Sequence, residues 1–348
     1  MDFDKAAAKI SDGIKIKINK REVTIILCCV KKTDNLWEIV DYSDVPIPAV
    51  FETLNYLKSE NLIYFDEKAC HLTERGVEIV GSLHPVEDMT CSYCEGRGLS
   101  LGKFSDLYKK FIDIQTSRPA ASHNFDQGYV TPGTSVARFV LAYERGDVED
   151  KDILILGDDD LVSIVLGLSG LPKSITVVEI DTRITGFIRE MGREHGFEVN
   201  VNDFDLRKPL PGMHMKSYDT FFTDPPETIK AADAFLGRGV SALKEPGSAG
   251  YFGFTRREAS LTKWYDLQRL IIDYGMVLTD IIHNFSEYVN WGYEEETRAW
   301  DLAPVKITPV KNWYRSALYR IQALDGFRGS TIDYGEENIY EDSESSTT

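Results

Sequence analysis

The stretch Asp152-Ile-Leu-Ile-Leu-Gly157-Asp-Asp-Asp160 decides the fold class. Its run of aliphatic side chains is typical of a parallel strand that is buried on both faces. Similar strands are predicted at 174–181, 198–203, 218–224 and 250–254, and helix-type sequence separates the first four. Such alternation predicts an α/β domain with a doubly wound, Rossmann-like parallel sheet.

The chain of 348 residues divides into four predicted segments. Residues 1–86 have the order helix, helix, hairpin, which resembles a winged helix-turn-helix. Residues 87–150 are a connector that contains a CxxC pair and a loop at the mouth of the substrate site. Residues 151–330 form the catalytic domain. The segments 276–285 and 317–324 are expected to complete its sheet. Residues 331–348 contain six acidic and no basic residues, which predicts a flexible acidic tail.

The charge of the chain restricts its partners. There are 56 acidic and 39 basic residues, a formal net charge of −17. Such a surface repels nucleic acid and anionic lipid and attracts cations. Residues 1–86 alone carry 11 lysines and arginines against 14 acids. We therefore expect no nucleic-acid or membrane partner, and we expect the winged-helix-like segment to have a structural or dimerising role in a homodimer.

Apolar stretches such as Val23–Val30 are far shorter than the roughly 20 residues that span a bilayer. The chain opens without the basic and apolar regions of a secretory signal, so we expect a cytoplasmic protein. Cys91-Ser-Tyr-Cys94 is a single CxxC pair, whereas a closed zinc site needs four ligands. The sequence leaves three alternatives open for this pair: an inert turn, a local disulfide, or a metal site that another subunit completes.

Ligands of doubly wound sheets bind at the carboxyl ends of the strands. In this sequence those ends are acidic, with Asp158, Asp159, Asp160, Glu179, Asp181, Asp203, Asp205, Asp224 and Glu227. Asp160 and Asp181 have an alternative role as helix caps. Taken together, clustered carboxylates repel one another unless a cation binds among them. The pattern therefore predicts a cationic ligand.

Part of this edge has the features of a nucleoside site. Glu179 is placed to hold a ribose diol, and Asp203 and Phe204 are placed to contact the adenine amino group and ring. Gly157 and Asp181 flank them and are assigned to the same part of the site. The arrangement is that of methyltransferase-like folds, which bind S-adenosylmethionine.

The first turn departs from the usual glycine-rich pattern of such folds. Three carboxylates follow Gly157, where a backbone turn normally receives the methionine carboxylate. They oppose that carboxylate and attract an amine. Decarboxylated S-adenosylmethionine, a sulfonium whose tail ends in an amine, meets this requirement. In the loop 125–135, Gln127 and Tyr129 are predicted to line the mouth of the site.

The segments Gly157-Asp-Asp-Asp160 and Asp224-Pro-Pro-Glu-Thr228, behind an acidic winged-helix-like region and a CxxC pair, resemble the branched-chain polyamine synthases of thermophilic archaea and bacteria. The resemblance covers nearly the whole chain, including the acidic tail. It implies a transferase of polyamine biosynthesis that moves aminopropyl groups from decarboxylated S-adenosylmethionine to the secondary amine of spermidine. Two rounds give a branched quaternary polyamine and release methylthioadenosine each time.

The resemblance also implies roles for the acidic residues. Asp159 corresponds to the catalytic aspartate, and we expect it to accept a proton from the acceptor nitrogen or to hold the amine in line. Asp158 or Asp160 is expected to bind the aminopropyl end of the donor. Asp224 and Glu227 are expected to bind the terminal amines of spermidine. Decarboxylated S-adenosylmethionine is then a co-substrate, and neither a cofactor nor a metal is predicted.

Two other functions are alternatives for this sequence. Asp224-Pro-Pro resembles the motif of amino-methylating enzymes, whose aromatic fourth residue stacks on a flipped base. The fourth residue here is Glu227, which cannot stack, and the chain lacks a basic groove. A winged-helix regulator that senses polyamines is the second alternative, and the acidic N-terminal segment argues against it. The sequence does not decide between spermidine and longer acceptors, or whether one or two transfers dominate.

Overall fold

A computed structural model describes residues 1–83 and 89–347 of the chain. The predicted boundary between residues 86 and 87 lies outside these ranges, as does Thr348. The helices are α1 (Phe3–Ile14), α2 (Lys20–Lys32), α3 (Leu36–Ser43), α4 (Ile47–Ser59), α5 (Glu74–Gly81), α6 (Ser105–Gln115), α7 (Pro132–Glu144), α8 (Val162–Ser169), α9 (Thr182–His195), α10 (Ile229–Ala242), α11 (Leu261–Asp273) and α12 (Arg298–Leu302). The strands are β1 (Ile63–Phe65), β2 (Cys70–Leu72), β3 (Asp152–Leu156), β4 (Ser174–Glu179), β5 (Asn200–Asp203), β6 (Thr220–Thr223), β7 (Ala249–Phe254), β8 (Met276–Glu287) and β9 (Arg315–Ala323). Among the described residues, no helix is both long and apolar enough to cross a lipid bilayer.

The N-terminal region consists of α1 to α5 and an antiparallel hairpin of β1 and β2. A capping box begins α2, because Asn19 accepts hydrogen bonds from the first turn and Glu22 bonds back to its backbone. Pro48 lies in the first turn of α4, where a missing N–H costs nothing. Two helices and a hairpin thus occur where the sequence predicted them.

This region is joined to the rest of the chain by a buried core. The rings of Trp37 and Trp313 lie 4.5 Å apart, and the indole N–H of Trp37 donates to the carbonyl of Ile307 at 2.7 Å. The fully buried Arg257 donates to the carboxylate of Asp41 at 2.6 Å. The contacts tie α3 to the segment that precedes β9 and to the turn that follows β7.

The central sheet has seven strands in the order β5-β4-β3-β6-β7-β9-β8. The first five are parallel to one another, and β9 is antiparallel to both of its neighbours. From β3 the strands are added first on one side, as β4 and β5, and then on the other side, as β6 and β7. This change of side between β3 and β6 leaves a crevice at the carboxyl ends of the two strands. The prediction of an α/β fold with a mostly parallel sheet is confirmed.

Successive side chains of β3 pack in different hydrophobic clusters, one on each face of the sheet. Ile153 and Ile155 pack in a cluster with α7, α8 and α9, whereas Leu154 and Leu156 pack with α10 and α11. All four side chains are buried. Helices on both faces of the sheet therefore account for the uninterrupted aliphatic run in the sequence.

Candidate active site

A cavity lies at the carboxyl ends of β3, β4, β5 and β6, the edge where the sequence places its acidic residues. Among the residues that the structure describes, six acidic side chains and several aromatic rings line it, and no lysine, arginine or histidine does. The lining residues are Phe125, Asp126, Gln127, Gly128, Gly157, Asp159, Glu179, Ile180, Phe204, Asp205, Leu206, Asp224, Pro225, Pro226, Glu227, Phe235, Tyr288, Trp291, Tyr293, Tyr314, Tyr340 and Thr347.

The turn after β3 is fixed by buried hydrogen bonds. Gly157 has φ +71°, a left-handed conformation that favours glycine. Both oxygens of Glu179 accept from backbone N–H groups, that of Asp158 at 2.9 Å and that of Asp181 at 2.7 Å. The carboxylate of Asp158 in turn faces the N–H of Ser163 in the first turn of α8. Asp158 is thus 1% exposed and lies beneath the cavity rather than in its wall.

A buried arginine holds two of the acidic residues together. Arg138, on α7, donates to Asp160 at 2.5 Å and to Asp224 at 2.7 Å. Asp160 also accepts from the backbone N–H of Val130 at 2.7 Å. Burial raises the pKa of Asp160 to about 6, although Arg138 opposes this rise. Asp160 therefore contacts protein groups on both of its oxygens, and it is not among the cavity-lining residues.

The same cluster fixes Asp224 at the end of β6. Its Oδ2 accepts from Arg138 and from the hydroxyl of Tyr288 at 2.6 Å. Its Oδ1 packs over Gly253 of β7, where a Cβ would lie only 2.1 Å away. Only glycine at position 253 leaves room for this carboxylate.

Three carboxylates of the cavity have no partner. Among the described residues, the side chains of Asp126, Asp159 and Glu227 form neither a hydrogen bond nor an ion pair. Burial raises the pKa of each of the three well above its ordinary value, and neighbouring carboxylates add to the effect. Buried carboxylates without a partner are costly, and a cation beside them would lower that cost.

The residues predicted to bind a nucleoside lie only partly in the cavity wall. Glu179 and Phe204 line it as predicted. Asp203 does not, because it is exposed and pairs with Arg189 at 3.1 Å, so its assignment to the adenine amino group is corrected. The acid that reaches the cavity is Asp205, which lies two residues beyond the end of β5.

The loop before α7 forms another part of the cavity wall. Gln127 lines the cavity as predicted, and its amide donates to Asp181 at 3.0 Å. Asp181 caps α9 and is bound to Arg183, so it supports the wall without lining it. Tyr129 lies outside the lining residues and stacks under the guanidinium of Arg118, 3.4 Å from the ring centroid.

The C-terminal segment lies over the cavity, and Tyr340 and Thr347 line it. Glu258, only 3% exposed, accepts from the N–H groups of Ser346 at 2.5 Å and Thr347 at 2.8 Å. It also accepts from the hydroxyl groups of Thr347 at 2.9 Å and Tyr314 at 2.8 Å. One buried carboxylate thereby anchors the end of the chain beside the site.

Several of these residues were missed by sequence reasoning. Arg138 and Glu258 lie on helical or irregular segments far in sequence from the acids they serve, and nothing in the local pattern marks them. Asp126 precedes Gln127, which was predicted to line the cavity. Its carboxylate, next to a predicted site residue, is the one feature of the sequence that could have indicated its role. The aromatic wall of Trp291 and Tyr293 follows β8 in a region that was not assigned to the site.

The CxxC pair lies away from this cavity. Cys91 is exposed and Cys94 partly buried, and both thiols are free. Backbone N–H groups of Cys94 and Tyr93 lower the pKa of the Cys91 thiol. In the described part of the chain, no group of three or more His, Cys, Asp or Glu side chains is arranged as a metal site.

The chain is similar to known proteins over nearly its whole length. Residues 106–347 match the family model of the branched-chain polyamine synthase A C-terminal domain. The chain is 47% identical to the N(4)-bis(aminopropyl)spermidine synthase of Thermococcus kodakarensis, over 98% of each chain. It is 45% identical to the enzyme of the same name from Methanocaldococcus jannaschii, over 99% of this chain and 100% of that one.

A solved structure is similar over the same length. The branched-chain polyamine synthase of Thermus thermophilus, in complex with N4-aminopropylspermidine and 5′-methylthioadenosine, superposes with a TM-score of 0.93. It shares 37% identity and covers 99% of this chain and 98% of its own. On these grounds, the chain belongs to the branched-chain polyamine synthase family.

Proposed function

We propose that this protein is an aminopropyltransferase of polyamine biosynthesis. It moves the aminopropyl group of decarboxylated S-adenosylmethionine to the secondary amine of spermidine, and a second transfer gives N(4)-bis(aminopropyl)spermidine. Each transfer releases methylthioadenosine. The observation that carries the proposal is a cavity lined by six acidic side chains and no basic one, in which the carboxylates of Asp126, Asp159 and Glu227 have no protein partner among the described residues.

The charge of the cavity selects the donor. Glu179 and Phe204 provide a polar and an aromatic contact for the adenosine group. Intact S-adenosylmethionine would bring a carboxylate close to Asp159, and two like charges 4 Å apart repel by roughly 4 kcal/mol at an intermediate dielectric constant. Decarboxylated S-adenosylmethionine brings an ammonium group instead. The same charge disfavours a nucleic-acid methyltransferase, whose substrate carries phosphates.

Asp159 is assigned as the general base. An ammonium nitrogen has no lone pair, so the acceptor nitrogen must first transfer a proton to Asp159. Its lone pair then attacks the carbon next to the sulfonium, the C–S bond breaks, and the electron pair remains on sulfur in methylthioadenosine. The raised pKa of Asp159, which follows from burial, makes it a stronger base than an ordinary aspartate.

The two acids of the Asp224-Pro-Pro-Glu227 segment are assigned to the acceptor. Positive charge moves from sulfur to nitrogen during the transfer, so fixed carboxylates close to the nitrogen stabilise the transition state. Arg138 and Tyr288 fix Asp224 before substrate binds. The aromatic rings of Trp291, Tyr293 and Tyr314 provide faces that attract ammonium groups.

The acidic tail is proposed as a cover that opens. About 100 Å³ of the cavity is open to water with the tail in place, whereas pockets for small ligands measure roughly 300–1,000 Å³. Donor and acceptor therefore enter only when the segment 331–347 moves. Its return would place Tyr340 over the bound ligands and exclude water.

The N-terminal region is proposed to be a winged helix-turn-helix with a structural or dimerising role. Its acidic charge and its buried contacts to the catalytic region support this role over DNA binding. Light scattering is expected to give the mass of a homodimer, and a monomer mass would refute the assignment. We also propose a cytoplasmic location, which the five free cysteines support because thiols persist in reducing compartments.

Replacement of Asp159 tests the proposed reaction. Asp159→Asn keeps the shape of the side chain and removes the base, so we expect transfer to spermidine to fall by about 100-fold or more. Asp325→Asn makes the same change at an exposed position and serves as the control. Product formation is measured by mass spectrometry, and thermal melting checks that both variants fold. An Asp159→Asn enzyme as active as the control would refute the assignment.

A further inference from the structure

The second transfer poses a problem that the first does not. The donor carries an ammonium group at the end of its aminopropyl chain, and this group is held while the C–S bond breaks. After transfer the new arm of the product still occupies the place of that chain. A second donor needs the same place, so the first new arm must move to another anionic group before the second round begins.

The cavity offers such a group in Asp126. It is contributed by the loop before α7, whereas Asp159 and Glu227 follow strands of the sheet. Its carboxylate lines the cavity without a hydrogen bond or an ion pair among the described residues. Burial raises the pKa of its carboxyl, and the charges of Glu258 and Glu341 add to this rise, so a nearby cation would stabilise the ionised form.

The position of Asp126 is fixed by its surroundings. Its backbone has φ +51°, in the left-handed region that aspartate and asparagine tolerate better than most residues. The hydroxyl of Tyr293 donates to the carbonyl of the next residue, Gln127, at 2.5 Å. The ring of Trp291 packs against Gly128, where a Cβ would lie 3.3 Å from it. Two aromatic side chains of the cavity wall thus hold this loop in place.

Tyr293 lines the cavity together with Asp126 and Asp159. Asp126 and Asp159 both lie close enough to raise the pKa of its hydroxyl, and burial is the largest cause. Because all three residues line the same cavity, an arm that starts at a nitrogen beside Asp159 has the Tyr293 ring and the Asp126 carboxylate within the same enclosed space. The ring face adds an attraction for the ammonium group.

We infer that Asp126 is the substrate-binding residue that receives the ammonium of the first transferred aminopropyl arm, and that it thereby permits the second transfer. In that step the tertiary amine of N4-aminopropylspermidine, once its proton has passed to Asp159, attacks the donor carbon. The C–S bond breaks, methylthioadenosine leaves with the electron pair, and the nitrogen becomes quaternary. Spermidine itself has no such arm, so the first transfer does not use this contact. The inference rests on the proposed function.

The test compares the two acceptors separately. Decarboxylated S-adenosylmethionine is supplied with either spermidine or N4-aminopropylspermidine, and kcat/KM is measured for wild type, Asp126→Asn and the exposed control Asp325→Asn. Asparagine also tolerates the left-handed backbone, so the fold should be kept. We expect Asp126→Asn to lower kcat/KM for N4-aminopropylspermidine by about tenfold or more, and that for spermidine by less than about threefold, since one charge-assisted hydrogen bond is lost.

In a mixture started from spermidine, the variant should accumulate the singly transferred product. Asp126→Gly, which also suits a positive φ, should show the same pattern and replaces Asp126→Asn if that variant is unstable. An equal fall for both acceptors, or no fall for either, would overturn the inference. Failure of the proposed function is distinguishable, because the wild type would then convert neither acceptor.

Discussion

At the scale of single residues, Arg138 determines how much free negative charge the cavity contains. It lies between Asp160 and Asp224 and is 3% exposed. Without it, both carboxylates would lose the cation that pairs with them and would keep only neutral donors, the N–H of Val130 and the hydroxyl of Tyr288. With it, Asp160 becomes part of the framework and Asp224 is held at a fixed position. One buried cation thus separates the acids that build the site from those that are free to bind a polycation.

Replacement of Arg138 should therefore affect folding and catalysis differently according to the substitute. Arg138→Met leaves two buried carboxylates unpaired and should lower the free energy of unfolding by about 3–5 kcal/mol. Arg138→Lys keeps the charge but lacks the planar fork of donors that bonds Asp160, Asp224 and Ser286, so it should fold with lowered transfer activity. Chemical denaturation and initial rates measure the two effects. Wild-type stability in Arg138→Met would contradict this account.

Asp158 should make the stability of the ligand-free protein depend on pH. Burial raises its pKa to about 8 from an ordinary value of 3.8. Between these values the folded protein holds a proton that the unfolded chain releases, so the stabilisation is complete below about pH 4 and is lost as the pH rises towards about 8. The melting temperature of wild type should thus fall more steeply from about pH 5 to about pH 8 than that of Asp158→Asn, by at least about 2 °C.

The control for this titration is Asp325→Asn, which should follow the wild-type slope because the side chain is exposed. Parallel pH slopes of wild type and Asp158→Asn would show that Asp158 is already ionised in the folded protein.

At the scale of secondary-structure elements, a glycine of β7 sets the position of an acid on β6. A Cβ at Gly253 would lie 2.1 Å from Asp224 Oδ1 and 3.0 Å from Ser316 Oγ, so Gly253→Ala must displace the carboxylate. A displacement of about 1 Å can cost 100-fold in rate, and we expect a loss of activity of at least tenfold. Gly186→Ala on α9 is the matched control, since nothing lies within 4 Å of its Cβ. Equal rates for the two variants would contradict a fixed role for Asp224.

The tail is a second element whose position depends on one residue. Glu258→Gln keeps the size of the side chain but cannot accept all four hydrogen bonds that hold Ser346, Thr347 and Tyr314. Release of the tail should raise KM for spermidine by about tenfold, because the cavity stays open to water. Steady-state rates with Glu67→Gln, an exposed glutamate, provide the control. If both variants have the same KM, the tail does not contribute to binding.

The elements also show which parts of the site are predictable from sequence. The segment from Gly157 to Asp160 is predictable, because an aliphatic strand that is followed directly by acidic residues is a pattern of adjacent residues. The error at Asp203 is one of register: the residue ends β5, but the chain turns so that Asp205 reaches the cavity. Arg138 could not have been found, because its partners come from β3 and β6 and only the folded sheet brings them to α7.

At the scale of the whole molecule, charge and fold act together. The net charge of −17 favours the approach of polycations to the protein, while the sheet collects acids from four strand ends at one cavity. The N-terminal region shares a continuous core with the segment between β8 and β9, and this core includes Trp37, Trp291 and Trp313. The region thereby supports the aromatic wall of the site as well as packing against it.

The central claim is that this acidic cavity transfers aminopropyl groups. Its most direct test is to incubate the pure protein with spermidine and either decarboxylated or intact S-adenosylmethionine, and to determine the product masses. We predict that spermidine gains one and then two aminopropyl groups with the decarboxylated donor, and that the intact donor gives no product. Methyl transfer from the intact donor, or no aminopropyl product with the decarboxylated one, would contradict the account.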